Sequence, residues 1–278
     1  MVYYEKHERN PHSSSNGSRN AYIYILSKNG EIINMRMRKK RHGNERLEAL
    51  DALFLHSEGE IWTDVPSHFE KDQPLRIEIG CGKGGFIAGI SKAQPEYNWL
   101  AVEKISDVMV CAVEKYAGDR GLGNLGYHGG WQAPDGTVYK DGQTWDIPMA
   151  DRGNVRFTIG DAAEVLSHLP EGSVDAIYAN FSDPWPKKGY ADRRLTSPVF
   201  LKEYLRVLRP GGAFRFKTDN EVLFDYSLET IEASPFRMTF CTRDLHSSER
   251  AAENIMTEYE RNFSEKGVLI KSLEAVKD

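Results

Sequence analysis

Leu75-Arg76-Ile77-Glu78-Ile79-Gly80-Cys81-Gly82-Lys83-Gly84-Gly85 reads as a strand, a glycine-rich turn and the start of a helix. Glycine lets a backbone turn tightly and approach a ligand closely. Outward from this stretch, strands and helices alternate. Gly84 to Ala93 is helical, and Trp99 to Glu103 is a second strand. Ser106 to Tyr116 is helical, with Val108, Met109, Ala112 and Val113 at helical spacing. Asn154 to Ile159 and Ala176 to Asn180 are the third and fourth strands. Thr196 or Ser197 caps a helix with Pro198 in its first turn, running to Leu208. Arg209-Pro210-Gly211-Gly212 is a turn, and Ala213 to Lys217 is the fifth strand. Asn220 to Glu232 is helical; Phe236 to Thr242 and Val268 to Leu273 are further strands around a helix near Ala252 to Phe263. This alternation specifies an α/β fold, a doubly wound and mostly parallel seven-stranded sheet with helices on both faces.

With 278 residues the chain holds one large α/β domain with extensions. No apolar run approaches the length of a membrane span, and no secretory leader is visible. Three scattered thiols, Cys81, Cys111 and Cys241, fit a reducing cytoplasm and contain no CxxC metal pair, so no metal site is expected. A net charge of −5 argues against a protein coated in positive charge but allows a local basic patch.

Residues 1–34 read as a poorly ordered extension, polar and breaker-rich at Asn10 to Ser18. Ala21 to Leu26 forms a short strand with no obvious partner. Residues 35–73 read as a basic arm and an N-terminal helix ahead of the α/β core at 74–278. Arg36, Arg38, Lys39, Lys40 and Arg41 make the arm either a solvated tail or a phosphate-binding element. Glycines and aromatics between residues 121 and 153 break the α/β rhythm, and Ala133 to Tyr139 suggests a small hairpin. This insertion is either a substrate-facing lid or a surface elaboration.

Gly80, Gly82 and Gly85 satisfy the dinucleotide pattern GxGxxG and equally the GxGxG of enzymes that use S-adenosylmethionine. Glu78 favours the second reading, because a carboxylate there attracts a cationic aminoacyl group and repels a pyrophosphate. Glu103, at the end of the second strand, is placed to accept both ribose hydroxyls. Asp161, after the third strand, is placed to accept from an adenine amino group, or simply to cap the next helix. The fourth strand ends in Asn180-Phe181-Ser182-Asp183-Pro184-Trp185-Pro186-Lys187-Lys188. Ligands of open α/β sheets bind outside the carboxyl ends of the strands. The two prolines fix φ on either side of Trp185 and hold the loop stiff.

These stretches, with Arg193-Arg194-Leu195-Thr196, Phe216-Lys217-Thr218-Asp219-Asn220, Asp244-Leu245-His246 and Asn254-Ile255-Met256-Thr257-Glu258-Tyr259-Glu260, resemble the bacterial tRNA (guanine-N7-)-methyltransferase family. The resemblance covers most of residues 75–265. It implies a Rossmann-like Class I methyltransferase that transfers a methyl group from S-adenosylmethionine to guanine N7 at position 46, in the tRNA variable loop. It implies that Glu78, Gly80, Gly82, Glu103, Asp161 and Asp183 bind or frame the cofactor, with Asp183 at the catalytic centre. It further implies that Lys187, Asp219, Thr257, Glu258, Tyr259 and Glu260 contact the guanosine. Lys188, Arg193 and Arg194 join the basic arm as candidate phosphate contacts. The chain departs from the family at Gly189-Tyr190-Ala191-Asp192, where a strongly basic stretch is usual, and in the size of its glycine-rich insertion. A monomer or homodimer that needs no obligate protein partner is expected.

Guanine N7 carries an in-plane lone pair and no proton, so attack on a sulfonium methyl needs no general base. The task is to bring N7 to about 3 Å from the methyl carbon and to stabilise a cationic product base. Asp183 and Asp219 are candidates to accept from guanine N1–H and its amino group. Three alternatives stay open. They are an amino-group methyltransferase, because Asn180 to Trp185 loosely resembles the loops that accept an exocyclic amine, a nicotinamide oxidoreductase and a catalytically silent tRNA-binding module.

Overall fold

In a computed structural model the structure describes residues 22–26, 32–36, 39–56, 62–126, 130–140 and 142–278. Strand β1 (Tyr22–Leu26) pairs antiparallel with β2 (Ile32–Arg36). The first apolar stretch therefore has the partner that the sequence did not reveal. Arg38 and the rest of residues 1–34 lie outside the described residues.

The chain then forms α1 (Gly43–Ala49), β3 (Leu75–Ile79), α2 (Gly85–Ala93), β4 (Asn98–Glu103) and α3 (Ser106–Asp119). The inserted strands are β5 (Asn124–Leu125), β6 (Trp131–Gln132) and β7 (Val138–Tyr139). After α4 (Met149–Arg152) come β8 (Val155–Ile159), α5 (Ala162–His168), β9 (Val174–Asn180), α6 (Pro198–Val207) and β10 (Leu208–Thr218). The last elements are α7 (Glu221–Glu232), β11 (Phe236–Thr242), α8 (Glu258–Ser264) and β12 (Lys271–Lys277).

Seven strands form one sheet in the order β11-β12-β10-β9-β3-β4-β8, in which β12 alone runs against its neighbours. Alternation along each strand divides the side chains between two faces. Ile77, Ile79, Ile177, Phe214 and Phe216 join a core with α5, α6 and α7 residues such as Leu166, Tyr204 and Phe224. Trp99, Ala101, Phe157 and Tyr178 join a second core with Leu50, Phe86, Ile87 and Met109 from the α1–α3 side. Both faces are covered, as a parallel sheet requires.

Four boundaries differ from the sequence reading. The expected turn at 209–212 is an irregularity inside β10, whose register against β9 shifts between Leu208 and Ala213. The last strand begins at Lys271 rather than Val268. The helix expected near 252–263 starts only at Glu258, because Thr257 caps it. Leu55, Trp62, Val65 and Phe69 belong to the main core, so much of 35–73 is part of the domain rather than an arm attached to it.

The insertion forms a three-stranded sheet, β5-β6-β7. Trp131 is 1 % exposed and donates to the Leu122 carbonyl at 2.8 Å, and the Trp145 amide donates to Ala49 O at 3.2 Å. It leaves the C-terminal end of α3 and re-enters at the start of β8, so it sits at the sheet's N-terminal edge. Among the described residues it packs into the α1–α3 core through Trp131 and Ile147.

Gly84 closes the glycine turn at φ +79°, where a Cβ would meet the Ala112 Cα at 2.7 Å. A left-handed non-glycine residue costs about 1–2 kcal/mol, and overpacking a further 1–3 or so. Gly84→Ala is expected to lower the unfolding free energy by about 2–5 kcal/mol in urea denaturation. An unchanged midpoint would mean that α2 and α3 separate freely.

Candidate active site

The register of the parallel strands places Lys217 opposite Asn180 and Glu78 opposite Tyr178. Glu78, Asn180 and Lys217 thus form a polar row on the α2 face, at the carboxyl edge of β3, β9 and β10. Asn180 donates to Glu78 Oε1 at 3.1 Å. Glu78 Oε2 is buried with no hydrogen-bond partner of good geometry among the described residues. Burial pushes the Glu78 carboxyl up to about 8; Asn180, and more weakly Lys217, pull against it.

Gly80 and Gly82 follow at φ +75° and +57°, and nothing lies within 4 Å of where a Cβ would stand on either. The turn presents bare backbone to open space. Glu103 closes it: Oε2 accepts from Gly82 N–H and Oε1 from Ile105 N–H, both at 3.0 Å. Asp161 caps α5 through Ala163 N–H at 3.0 Å, and its Oδ2 meets Lys104 at 3.0 Å. The capping role weighed for Asp161 is present, and its exposed position leaves it at the rim.

The loop after β9 is strained and fixed. Phe181 and Trp185 hold φ +54° and +40°, uncommon for non-glycine residues. Such strain persists only where the surroundings over-determine it. Phe181 N–H donates to Lys217 O at 2.8 Å. Arg194 donates to the carbonyls of Pro184 and Trp185 at 3.0 Å and lies over the Tyr226 ring. Arg194 is 8 % exposed. This corrects its assignment as a phosphate contact, since its guanidinium is spent inside the loop. Asp183, Lys187, Lys188 and Arg193 remain exposed.

Segment 254–260 folds over this edge. A Cβ on Gly85 or Gly89 would collide with Glu258 or Ile255, so these glycines let the segment lie against α2. Glu258 rests at the start of α2 and pairs with Lys115. Tyr259 packs between Phe181 and Phe263, at ring distances of 5.0 and 4.5 Å. Thr257 accepts from Glu260 N–H at 2.9 Å in a capping box. Glu260 is completely buried. Its Oε2 accepts from Lys217 at 2.6 Å, and its Oε1 meets Asn254 at 2.6 Å and His246 at 2.7 Å. Burial would raise the Glu260 carboxyl, but Lys217, His246 and Asn254 outweigh it and hold it below the usual carboxylate range. The carboxylate contact expected from Glu260 to substrate is therefore corrected: its oxygens are engaged within the protein.

Lys217, His246 and Asn254 lie within the family-like motifs, where the resemblance assigns them no role. They are the partners that fix the segment, and no residue type in isolation signals such a function. Asp219, half-buried beyond Lys217, has its carboxyl raised by burial, with Lys271 pulling the other way. Lys39, Lys40 and Arg41 flank α1; the Lys40 amide donates to Asp107 Oδ1 at 2.7 Å, which places them beside the start of α3, on the same edge as Glu103. Only the backbone of Arg36 is described. No cluster of three metal-ligating side chains occurs among the described residues, and no described helix is long and apolar enough to cross a membrane.

A family model described as putative methyltransferase matches residues 72–273. The tRNA (guanine-N(7)-)-methyltransferase of Listeria monocytogenes serotype 4b (strain F2365) is 38 % identical over 244 residues, covering 87 % of this chain and 98 % of that protein. The tRNA (guanine-N(7)-)-methyltransferase of Lactococcus lactis subsp. cremoris (strain SK11) is 35 % identical over 242 residues, covering 87 % and 97 %. The chain belongs to the tRNA (guanine-N7-)-methyltransferase family. The 16S rRNA methyltransferase KamB aligns with a TM-score of 0.51 at 12 % identity, over 80 % of this chain and 94 % of that one, a likeness of fold.

Within this family member, removing the Glu260 carboxylate strands a buried ammonium. Breaking a buried pair from one side costs about 3–5 kcal/mol. Glu260→Ala should lose about that much in chemical denaturation. A fully stable variant that had lost only substrate affinity would restore Glu260 to the substrate.

Proposed function

We infer that this chain is an S-adenosylmethionine-dependent enzyme that methylates N7 of guanine in tRNA, at the variable loop. The observation that carries the reading is the buried, half-satisfied Glu78 beside an open glycine turn, at the edge where Asp183 and Asp219 also gather. The family gives the reaction; these residues fit its donor.

S-adenosylmethionine supplies an electrophilic methyl carbon on a sulfonium centre. Glu78 offers a carboxylate to the cationic aminoacyl end, and Gly80 and Gly82 allow close approach of backbone. Glu103 is oriented by two amides to accept from ribose hydroxyls. Asp161, at the rim, would accept from the adenine amino group. The strained loop holds Asp183 beyond β9, where its charge favours a nearby cationic guanine. Asp219, kept from full solvation, accepts from guanine N–H groups; adenine lacks that donor pattern and would leave the carboxylate unpaired. Lys187 and segment 257–259 border the same space. Lys39, Lys40, Arg41 and Lys188 supply phosphate contacts.

Asp183→Ala should cut kcat for tRNA methylation by at least about 100-fold while the donor Kd changes little; stopped-flow turnover and calorimetry check it. Equal losses in both would make Asp183 a donor-binding residue instead. Glu78 gives a pH signature. With its carboxyl near 8 in the free protein, it is largely protonated at neutral pH. A cationic ligand favours the ionised form, so binding expels a proton. Donor affinity should rise as pH approaches about 8 and Glu78 ionises, and fall again above it as the donor's own α-amino group, with a pKa of about 8, loses its charge. Calorimetry in buffers of different ionisation enthalpy should show proton release that Glu78→Gln abolishes. An unchanged release in that variant would move the cationic contact elsewhere.

A further inference from the structure

Beyond the reacting centre, the loop after Asp183 builds a second feature that the methyl-transfer chemistry does not use. Residues 188–193 form a single 3₁₀ segment. It brings Tyr190 against Trp185, with centroids 5.9 Å apart and planes at 78°. The Arg193 guanidinium lies 4.9 Å from the Trp185 ring centre and 4.7 Å from that of Tyr190. One cation thus bridges two rings, an arrangement in which each ring face attracts it. Tyr190 nevertheless keeps 40 % of its surface exposed.

Rigidity is the second observation. Trp185 sits at positive φ between two prolines, and Arg194 pins its carbonyl and that of Pro184 from inside the protein. The Tyr190 amide in turn donates to Lys187 O at 2.9 Å. An exposed aromatic ring on a flexible loop would lose conformational freedom on binding. Here that freedom is already lost in the free protein, so ring surface is offered without an ordering cost.

We propose that Tyr190, braced by Arg193 on Trp185, is a stacking site for one unpaired base of the RNA, next to the guanosine placed at Asp183. This deepens the reading of the site as a tRNA methyltransferase and rests on it. Single-stranded bases are recognised by stacking on aromatic rings and guanidinium planes, whereas helical RNA is met through phosphates and ribose hydroxyls. A stacked neighbour would hold the RNA strand open at the loop and help present the target base. It would also shift part of the RNA affinity from charge to stacking, so the contribution of Tyr190 carries no salt dependence. Lys187 and Lys188, exposed at the start of the same segment, would supply charge for the adjoining phosphates.

The test compares the full-length wild type with Tyr190→Ala and Tyr190→Phe, by equilibrium binding of unmodified tRNA across a salt series and by steady-state methyl transfer. Tyr190→Ala should raise the tRNA Kd roughly 5- to 150-fold. It should leave the log Kd against log salt slope, the donor Kd and the thermal midpoint unchanged. Tyr190→Phe should bind like wild type. Lys188→Ala, as a phosphate control, should flatten the slope by about 0.7–0.9. An unchanged Kd in Tyr190→Ala overturns the proposal. So does a flattened slope in that variant, or a Tyr190→Phe loss as large as that of alanine, which would assign the contact to the phenol hydroxyl. A wild type that binds tRNA without methylating it overturns the reaction assigned above; the binding comparison then still decides the stacking site.

Discussion

A lysine ammonium buried at the end of a central strand demands a carboxylate, and that demand organises the whole ligand edge. Lys217 is 5 % exposed, and burial lowers its pKa while Glu260 holds it up. Satisfying it brings Glu260, Asn254 and the Ile255 carbonyl onto β10 from a segment some forty residues later in the chain. Glycine at positions 85 and 89 of α2 leaves room for the Glu258 and Ile255 side chains of that segment. The ion pair is costly to bury in isolation. Its return is a fixed wall beside Glu78, Asn180 and the loop that carries Asp183.

The opposite wall is fixed by strain. Phe181 and Trp185 occupy left-handed backbone, and the energy to keep them there comes from Arg194 inside and Tyr259 above. The two walls meet where Tyr259 packs on Phe181. Segment 254–260 and loop 181–187 are therefore parts of one rigid frame. Attack by a neutral, proton-free nitrogen asks mainly for placement, and a rigid frame supplies placement. The described part of the insertion at 121–153 packs elsewhere, into the α1–α3 core through Trp131 and Ile147.

Much of this was legible in the sequence. The strand–glycine–helix turn at 75–85, the carboxylates at successive strand ends and the proline-bounded loop each follow from local rules of backbone geometry and topology. What was not legible depends on contacts between distant residues. Arg194 reads as one of a basic pair, and only its burial under the loop shows it to be a brace. Glu260 reads as a substrate ligand until Lys217 is seen against it. Ile32 to Arg36 is a strand because Tyr22 to Leu26 lies beside it, and pairing leaves no mark in either segment alone. The onset of the last strand at Lys271 is set by its antiparallel register with Thr218, not by its own apolar residues.

The most direct measurement is methyl transfer from labelled S-adenosylmethionine to unmodified tRNA, followed by nucleoside analysis of the digested RNA. The account predicts label in N7-methylguanosine, lost when the variable-loop guanine is replaced. Label in a different nucleoside, or retained after that replacement, would contradict it.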